Sequence, residues 1–176
     1  MTSNLMKSFG KNALAIFKEA LTPYGFKKES KKVDQYFCNI IFVNDERYVK
    51  VEANIHPRDY PPYFNIVFGE GSRDFMESDW NSVALWRLKN MITKTDSGGE
   101  YSLEGVMDLP GLLENSKDEM LNYGEKFLSG DTEIFHQARK EQNKDREPYK
   151  VYSPDGKGNY SVSDEPESVE IRKKYI

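Results

Sequence analysis

Apolar and polar residues alternate through residues 35–69, and that two-residue period organises the rest of the chain. Three runs carry it: 35–43 (QYFCNIIFV), 48–56 (YVKVEANIH) and 63–69 (YFNIVFG). Alternation over such lengths predicts half-buried strands. Asn44-Asp45-Glu46-Arg47 is the natural turn between the first two runs. An even loop there sets Phe42 opposite Val49, Ile40 opposite Val51, Cys38 opposite Ala53 and Tyr36 opposite Ile55, all on one face. A three-residue loop would bring Asn39 among the core residues, so the even loop is preferred. Phe64, Ile66 and Phe68 extend the same face from the third run.

The other face carries Tyr48, Lys50, Glu52, Asn54 and His56 from the second run, and Tyr63, Asn65 and Val67 from the third. Polar residues on one side of an antiparallel sheet ordinarily mark its wet face. Phe37, Ile41 and Val43 also point this way, however, so part of this face needs cover. That cover comes from a later segment of the chain or from a second chain.

Helical spacing flanks the sheet. Met6, Phe9, Ala13, Ile16, Phe17, Ala20 and Leu21 form a stripe over 3–21, with Ser3 or Asn4 as cap and Pro23 and Gly25 as the stop. Lys27, Lys28, Lys31 and Lys32 then read as a solvated connection. From Ser78, Trp80, Val83, Ala84, Leu88, Met91 and Ile92 recur at helical intervals, with Leu85 and Trp86 off that stripe. A short strand is expected over 101–107. Asp108 and Pro110 open a helix whose face runs from Leu112 to Leu128, and Asp131 caps another over 132–143. The fold class expected is α+β: one antiparallel sheet of three to four strands, packed by an N-terminal helix and by C-terminal helices.

Composition changes after Arg139. Residues 1–143 are expected to form the domain, and 144–176 a charged C-terminal arm with a loose hairpin about the turn SPDGKGN. The arm offers a route to homo-oligomers, by exchange between protomers. The 176 residues are 31% charged, with a net charge of −4 and a pI near 5.4. No global basic field attracts nucleic acid or anionic lipid. No apolar run approaches the ~20 residues of a membrane span, and the N-terminus lacks the unbroken apolar core of a signal peptide. One cysteine, Cys38, rules out an internal disulfide. A cytoplasmic protein is the expectation.

The search for chemistry yields no catalytic constellation. His136 stands in no HExxH spacing, and phosphate loop, dinucleotide fingerprint, nucleophile elbow and kinase motifs are all absent from the sequence. Cys38 is assigned to the core face, away from His56, which argues against a Cys–His pair. Asp74, Glu77 and Asp79 read as a polar helix approach rather than a metal site. No catalytic residue, metal or cofactor is therefore assigned. The best enzymatic alternative centres on His56, Arg58 and Asp59 with Asn54 and Tyr63, since a histidine oriented by a carboxylate beside an arginine suits acid–base chemistry on an anion. Exposed Tyr48, Tyr63 and Phe37 on a sheet are residue types of base-stacking platforms. The acidic chain and the lack of a basic-aromatic run weigh against nucleic acid.

Leu21, Pro23, Gly25, Phe26, Lys27 and Lys28 spell an L-x-P-x-G-F-K-K turn between helix and sheet. Over its first third the chain resembles small bacterial domains of unknown function, some of them similar to immunity-type proteins encoded near toxins. The sequence departs from that pattern after the second strand. The resemblance implies a non-enzymatic protein-interaction module and carries over no catalytic residue. The candidate binding face is then Tyr48, Lys50, Glu52, Asn54, His56, Arg58, Tyr63 and Asn65, taking a protein partner; the alternative is a small-ligand-binding protein or enzyme around His56, Asn54 and Arg58.

Overall fold

The structure is a computed structural model and describes residues 2–55, 61–96 and 98–176. Helix α1 (Thr2–Leu21) is followed by a 3-10 turn (Thr22–Tyr24) and by strands β1 (Lys27–Val33), β2 (Phe37–Asn44), β3 (Arg47–Asn54) and β4 (Tyr63–Glu70). Then come α2 (Phe75–Asn81), β5 (Ser82–Ala84), α3 (Leu85–Thr93), β6 (Tyr101–Ser102), α4 (Leu109–Ser129) and α5 (Glu133–Asn143). The chain closes with β7 (Lys150–Pro154), β8 (Tyr160–Asp164) and α6 (Pro166–Tyr175). The main sheet has six antiparallel strands in the order β1-β2-β3-β4-β5, with β6 also paired to β4; β7 and β8 form a separate two-stranded sheet.

The class is α+β, but the expected sheet of three to four strands is too small. Two strands account for most of the difference. The lysine-rich segment after the first helix is not a solvated connection; it is the edge strand β1, paired to β2 from Lys27↔Val43 to Val33↔Cys38 with a bulge between Lys28 and Ser30. Its sequence, KKESKKV, has little strand preference of its own. What forms it is β2, whose outer backbone groups need partners. Asp34 makes the turn, its Oδ1 accepting from the amides of Tyr36 (2.6 Å) and Phe37 (2.9 Å). Likewise the helix expected from Ser78 is broken by β5, which pairs Val83 with Phe68 and Ala84 with Val67. Leu85 and Trp86 fell off the helical stripe because they begin a second helix.

The predicted register holds. Phe42 lies opposite Val49, Ile40 opposite Val51 and Cys38 opposite Ala53, and the Ile55 amide donates to the Tyr36 carbonyl at 2.8 Å. The turn is the two-residue Asp45-Glu46, with Asp45 at φ 53°. Phe42, Val49, Ile40, Val51, Cys38 and Ala53 join Phe64, Ile66, Phe68 and Val83 in one buried layer, with Ile55 half-buried beside it. α1 covers it with Met6, Phe9, Ala13, Phe17 and Leu21, all fully buried, and α4 with Leu113, Met120, Phe127 and Leu128. Each buried side chain of this size contributes about 1.5–3 kcal/mol over leaving it exposed.

Local signals end the helices where expected. Gly25, at φ 81°, closes the 3-10 turn. Asp108 caps α4, its Oδ1 accepting from the Gly111 amide at 2.9 Å. At the other end of α4, Gly130 adopts φ 102°, and Arg47 Nη1 donates to the Leu128 carbonyl at 2.9 Å and to that of Phe127. Its guanidinium also lies 5.5 Å over the Phe26 ring. Arg47 thus ties the β2–β3 turn to a helix C-terminus, where a cation is favoured.

Residues 144–176 are more structured than a loose arm. α6 buries Ser168 and Ile171, and Tyr175 donates to Glu77 at 2.9 Å. Arg172 Nε donates to the Arg146 carbonyl at 2.7 Å. Asn143, fully buried, donates through Nδ2 to the carbonyls of Trp80 (2.7 Å) and Tyr175 (3.1 Å). One side chain therefore joins α2, α5 and α6.

Candidate functional site

The pairing of the strands lays out the non-core face of the sheet in rows. Phe37, Asn54 and Tyr63 form one row, and Lys32, Asn39, Glu52 and Asn65 the next. A third runs Ser30, Ile41, Lys50, Val67 and Ala84; a fourth runs Val43, Tyr48, Gly69 and Ser82. The middle rows are the floor of a cleft of about 900 Å³. Its walls come from Arg73, Phe75 and Asp79 on one side, from Trp86 and Arg87 of α3, and from Gln142 and Arg146 near the end of α5.

Tyr48 sets the depth of this cleft. Its ring lies flat over Gly69, so near that a Cβ on Gly69 would stand 2.0 Å from Tyr48 Cζ. The side chain is buried, and its hydroxyl donates to Asn81 Oδ1 at 2.7 Å. Asn81 Nδ2 in turn donates to the Ser72 carbonyl at 2.7 Å. Burial pushes the Tyr48 hydroxyl well above the ordinary phenol range, with Ser82 as a hydrogen-bond neighbour opposing it. Tyr48 is thus a neutral brace that anchors α2 to the sheet.

Charges in the cleft are largely matched. Lys50 and Glu52 pair at 2.8 Å on the floor, and Arg73 reaches Glu29 at 2.7 Å. Asp79 accepts from both Arg146 and Tyr149, while the Arg146 guanidinium lies 4.5 Å over the Trp80 ring. Burial, followed by the bond to Asp79, raises the Tyr149 hydroxyl to about 12. Arg87 stacks 4.3 Å over Trp86. Between these polar groups run Ile41, Val67 and Ala84, and Phe75 stands 81% exposed at the rim. Phe75 thus adds an exposed aromatic ring to the rim of a mixed polar and apolar cleft.

The candidate residues divide accordingly. Lys50, Glu52 and Asn65 share the cleft floor, with Tyr48 at its foot. Asn54 and Tyr63 pair across β3 and β4 and border a smaller depression of about 260 Å³ with Phe37 and Cys38. His56 and Arg58 lie outside the described residues, as does Asp59. Of the apolar residues that needed cover, Ile41 lies in the cleft and Phe37 is 41% exposed. The walls were not legible as site residues, because Phe75, Trp86 and Arg146 come from three distant segments and only the fold brings them to one face.

Cys38 is buried, and burial raises its thiol to about 11; a thiol so protonated is no nucleophile at neutral pH. Among the described residues no cluster of three or more His, Cys, Asp or Glu is placed to hold a metal ion. No helix among them is long and apolar enough to cross a membrane. Comparison with protein-family models, curated proteins and solved structures finds no match.

Proposed function

We propose that the protein is a non-enzymatic interaction module that receives a protein partner in the cleft on the non-core face of its sheet. The observation that carries this reading is the 81% exposed Phe75 at the rim of a cleft whose floor interleaves Ile41, Val67 and Ala84 with Lys50. Interfaces gain most of their affinity from a few aromatic anchors set in a desolvated centre with polar groups around them. Here Phe75 supplies the anchor, and Lys50, Glu52, Asn65 and Arg87 the polar surround. The mutual neutralisation of Lys50 with Glu52, and of Arg146 with Asp79, suits a mixed polar surface better than an isolated anion.

The immunity-like reading is the finer form of this proposal: the partner is then a toxin, and binding blocks it. The L-x-P-x-G-F-K-K turn supports that form. The test is a photo-crosslinking residue at position 75, with the same residue at the fully exposed Met107 as control. A partner captured at 75 but not at 107, and lost on Ile41→Asp, supports the module. Identical capture at both positions, or capture indifferent to Ile41→Asp, overturns it. If the captured protein is toxic to cells, co-expression should protect them, and Phe75→Asp should remove that protection.

A further inference from the structure

The β7–β8 hairpin stands apart from the cleft and presents a second surface. All ten of its strand residues are exposed. Pairing runs Lys150↔Asp164, Tyr152↔Val162 and Pro154↔Tyr160. These alternate pairs share one face, so Tyr152, Pro154, Tyr160 and Val162 stand together, with Tyr152 67%, Tyr160 69% and Val162 52% exposed. The hairpin is nevertheless built with care. Asp155 Oδ1 accepts from the amides of Lys157 (2.7 Å) and Asn159 (3.1 Å) at its tip, and the Glu165 amide donates to the Tyr149 carbonyl at its base. A two-stranded ribbon is marginal by itself, and further strands along its free edge would stabilise it.

We propose that the added strands come from a second copy of this chain, paired antiparallel along β8 about a two-fold axis at Val162. The sequence of β8, Tyr-Ser-Val-Ser-Asp, is self-complementary in that arrangement. Val162 meets the partner's Val162, Ser161 meets the partner's Ser163, and Tyr160 meets the partner's Asp164. No like charges face each other, and each tyrosine hydroxyl gains a carboxylate across the axis. The central row of the resulting four-stranded sheet reads Tyr-Val-Val-Tyr. Lys150 neighbours Asp164 in each copy, completing the flanking rows.

The other free edges are poorer choices. β7 ends in Pro154, which has no N–H to give to a ladder. β1 carries Lys27, Lys28, Lys31 and Lys32, all exposed, and a second copy would bring those charges against their own kind. β8 is exposed along its length and holds neither a proline nor a run of like charge. An isologous pair of this kind is the commonest form of self-association.

The experiment follows the mass of the full chain by sedimentation as concentration is raised, for the natural protein, Val162→Lys, Val162→Glu and an equal mixture of the two variants. Val162 is exposed, so circular dichroism should show both variants folded like the parent. The proposal expects the natural chain to move from 20.4 kDa towards twice that mass, each variant alone to weaken association roughly tenfold or more through like charges across the axis, and the mixture to restore it. A single 20.4 kDa species at every concentration overturns the proposal. So does association unaffected by either variant, or a mixture that fails to recover it.

Discussion

Gly124 sets two opposing effects against each other, and the structure decides between them. It lies inside α4, where replacing glycine by alanine ordinarily gains about 1 kcal/mol of helix stability. A Cβ at Gly124, however, would stand 2.4 Å from Phe68 Cζ and 3.0 Å from Cε1, both atoms of a buried ring. Relief requires a shift of about 1 Å towards ordinary van der Waals contact near 3.5–4.0 Å. The ring has little room to give. Phe68 is fully buried, its strand is held on both sides by Val49 and Val83, and the Phe127 ring lies tilted against it at 5.0 Å. Overpacking of this kind costs about 1–3 kcal/mol, and the steep repulsion at 2.4 Å argues for the upper part of that range. The helix gain is then outweighed, and Gly124→Ala should lose about 1–2 kcal/mol net. That corresponds to a fall in Tm of about 2–8 °C for a domain of this size. Urea unfolding followed by circular dichroism measures it, with an unchanged m-value showing that native stability is what moved. In the Phe68→Leu background the added methyl enters space the ring has left, so the same substitution should be neutral or favourable, a coupling of about 1 kcal/mol or more. A Gly124→Ala protein as stable as the parent, or the same loss with and without the Phe68 ring, would refute the close approach as the reason for glycine here.

Four further outcomes follow from contacts already described. Tyr48→Phe should leave Asn81 Oδ1 buried without its donor and lose about 1–3 kcal/mol, read as a lower urea midpoint; no change would show that the hydroxyl is dispensable. Arg47→Met removes the cation from the last carbonyls of α4 and from the Phe26 ring while keeping an apolar side chain there, and should cost about 1–2 kcal/mol, with amide exchange quickening first at residues 126–130. Glu119 accepts from Lys89 Nζ (2.7 Å) and Tyr101 Oη (2.6 Å); burial opposes its charge, but the Lys89 and Tyr101 bonds together outweigh burial and hold its pKa below the usual range. A depressed folded pKa contributes stability above the unfolded value, near 4.3 for glutamate, and loses it as pH falls through the folded one. Glu119→Gln should therefore flatten the decline in stability below about pH 4.3, and an unaltered acid limb would contradict this. For Cys38, with its thiol at about 11, the thiolate fraction at pH 8 is about one in a thousand, against roughly a quarter for an unperturbed thiol; labelling by iodoacetamide should be about a hundredfold slower in the native protein than in urea, and comparable rates would mean that the thiol is accessible.

The central hairpin was legible because its information is local and periodic. A side chain's face in a strand is fixed by parity, so an even turn at Asp45-Glu46 and the Phe42, Ile40 and Cys38 series leave one self-consistent register. α1 and α4 were legible for the same reason: burial every three or four residues, with Pro23 and Gly25 stopping α1 and with Asp108, Pro110 and Gly130 bounding α4. What the sequence by itself determined is thus the core face of the sheet and the helices that cover it. Strand β1 escaped because KKESKKV gains its conformation from the backbone of β2 rather than from any apolar pattern. Strand β5 escaped because Ser82-Val83-Ala84 fits a helical period and a strand equally well, and the choice falls to the free edge of β4. The cleft was decided by tertiary structure alone. Its floor is a row of residues from separate strands, and its rim joins Phe75, Trp86 and Arg146 across some seventy positions of chain. No local period relates those residues; only the packing of α2, α3 and the segment after α5 around the sheet places them on one surface.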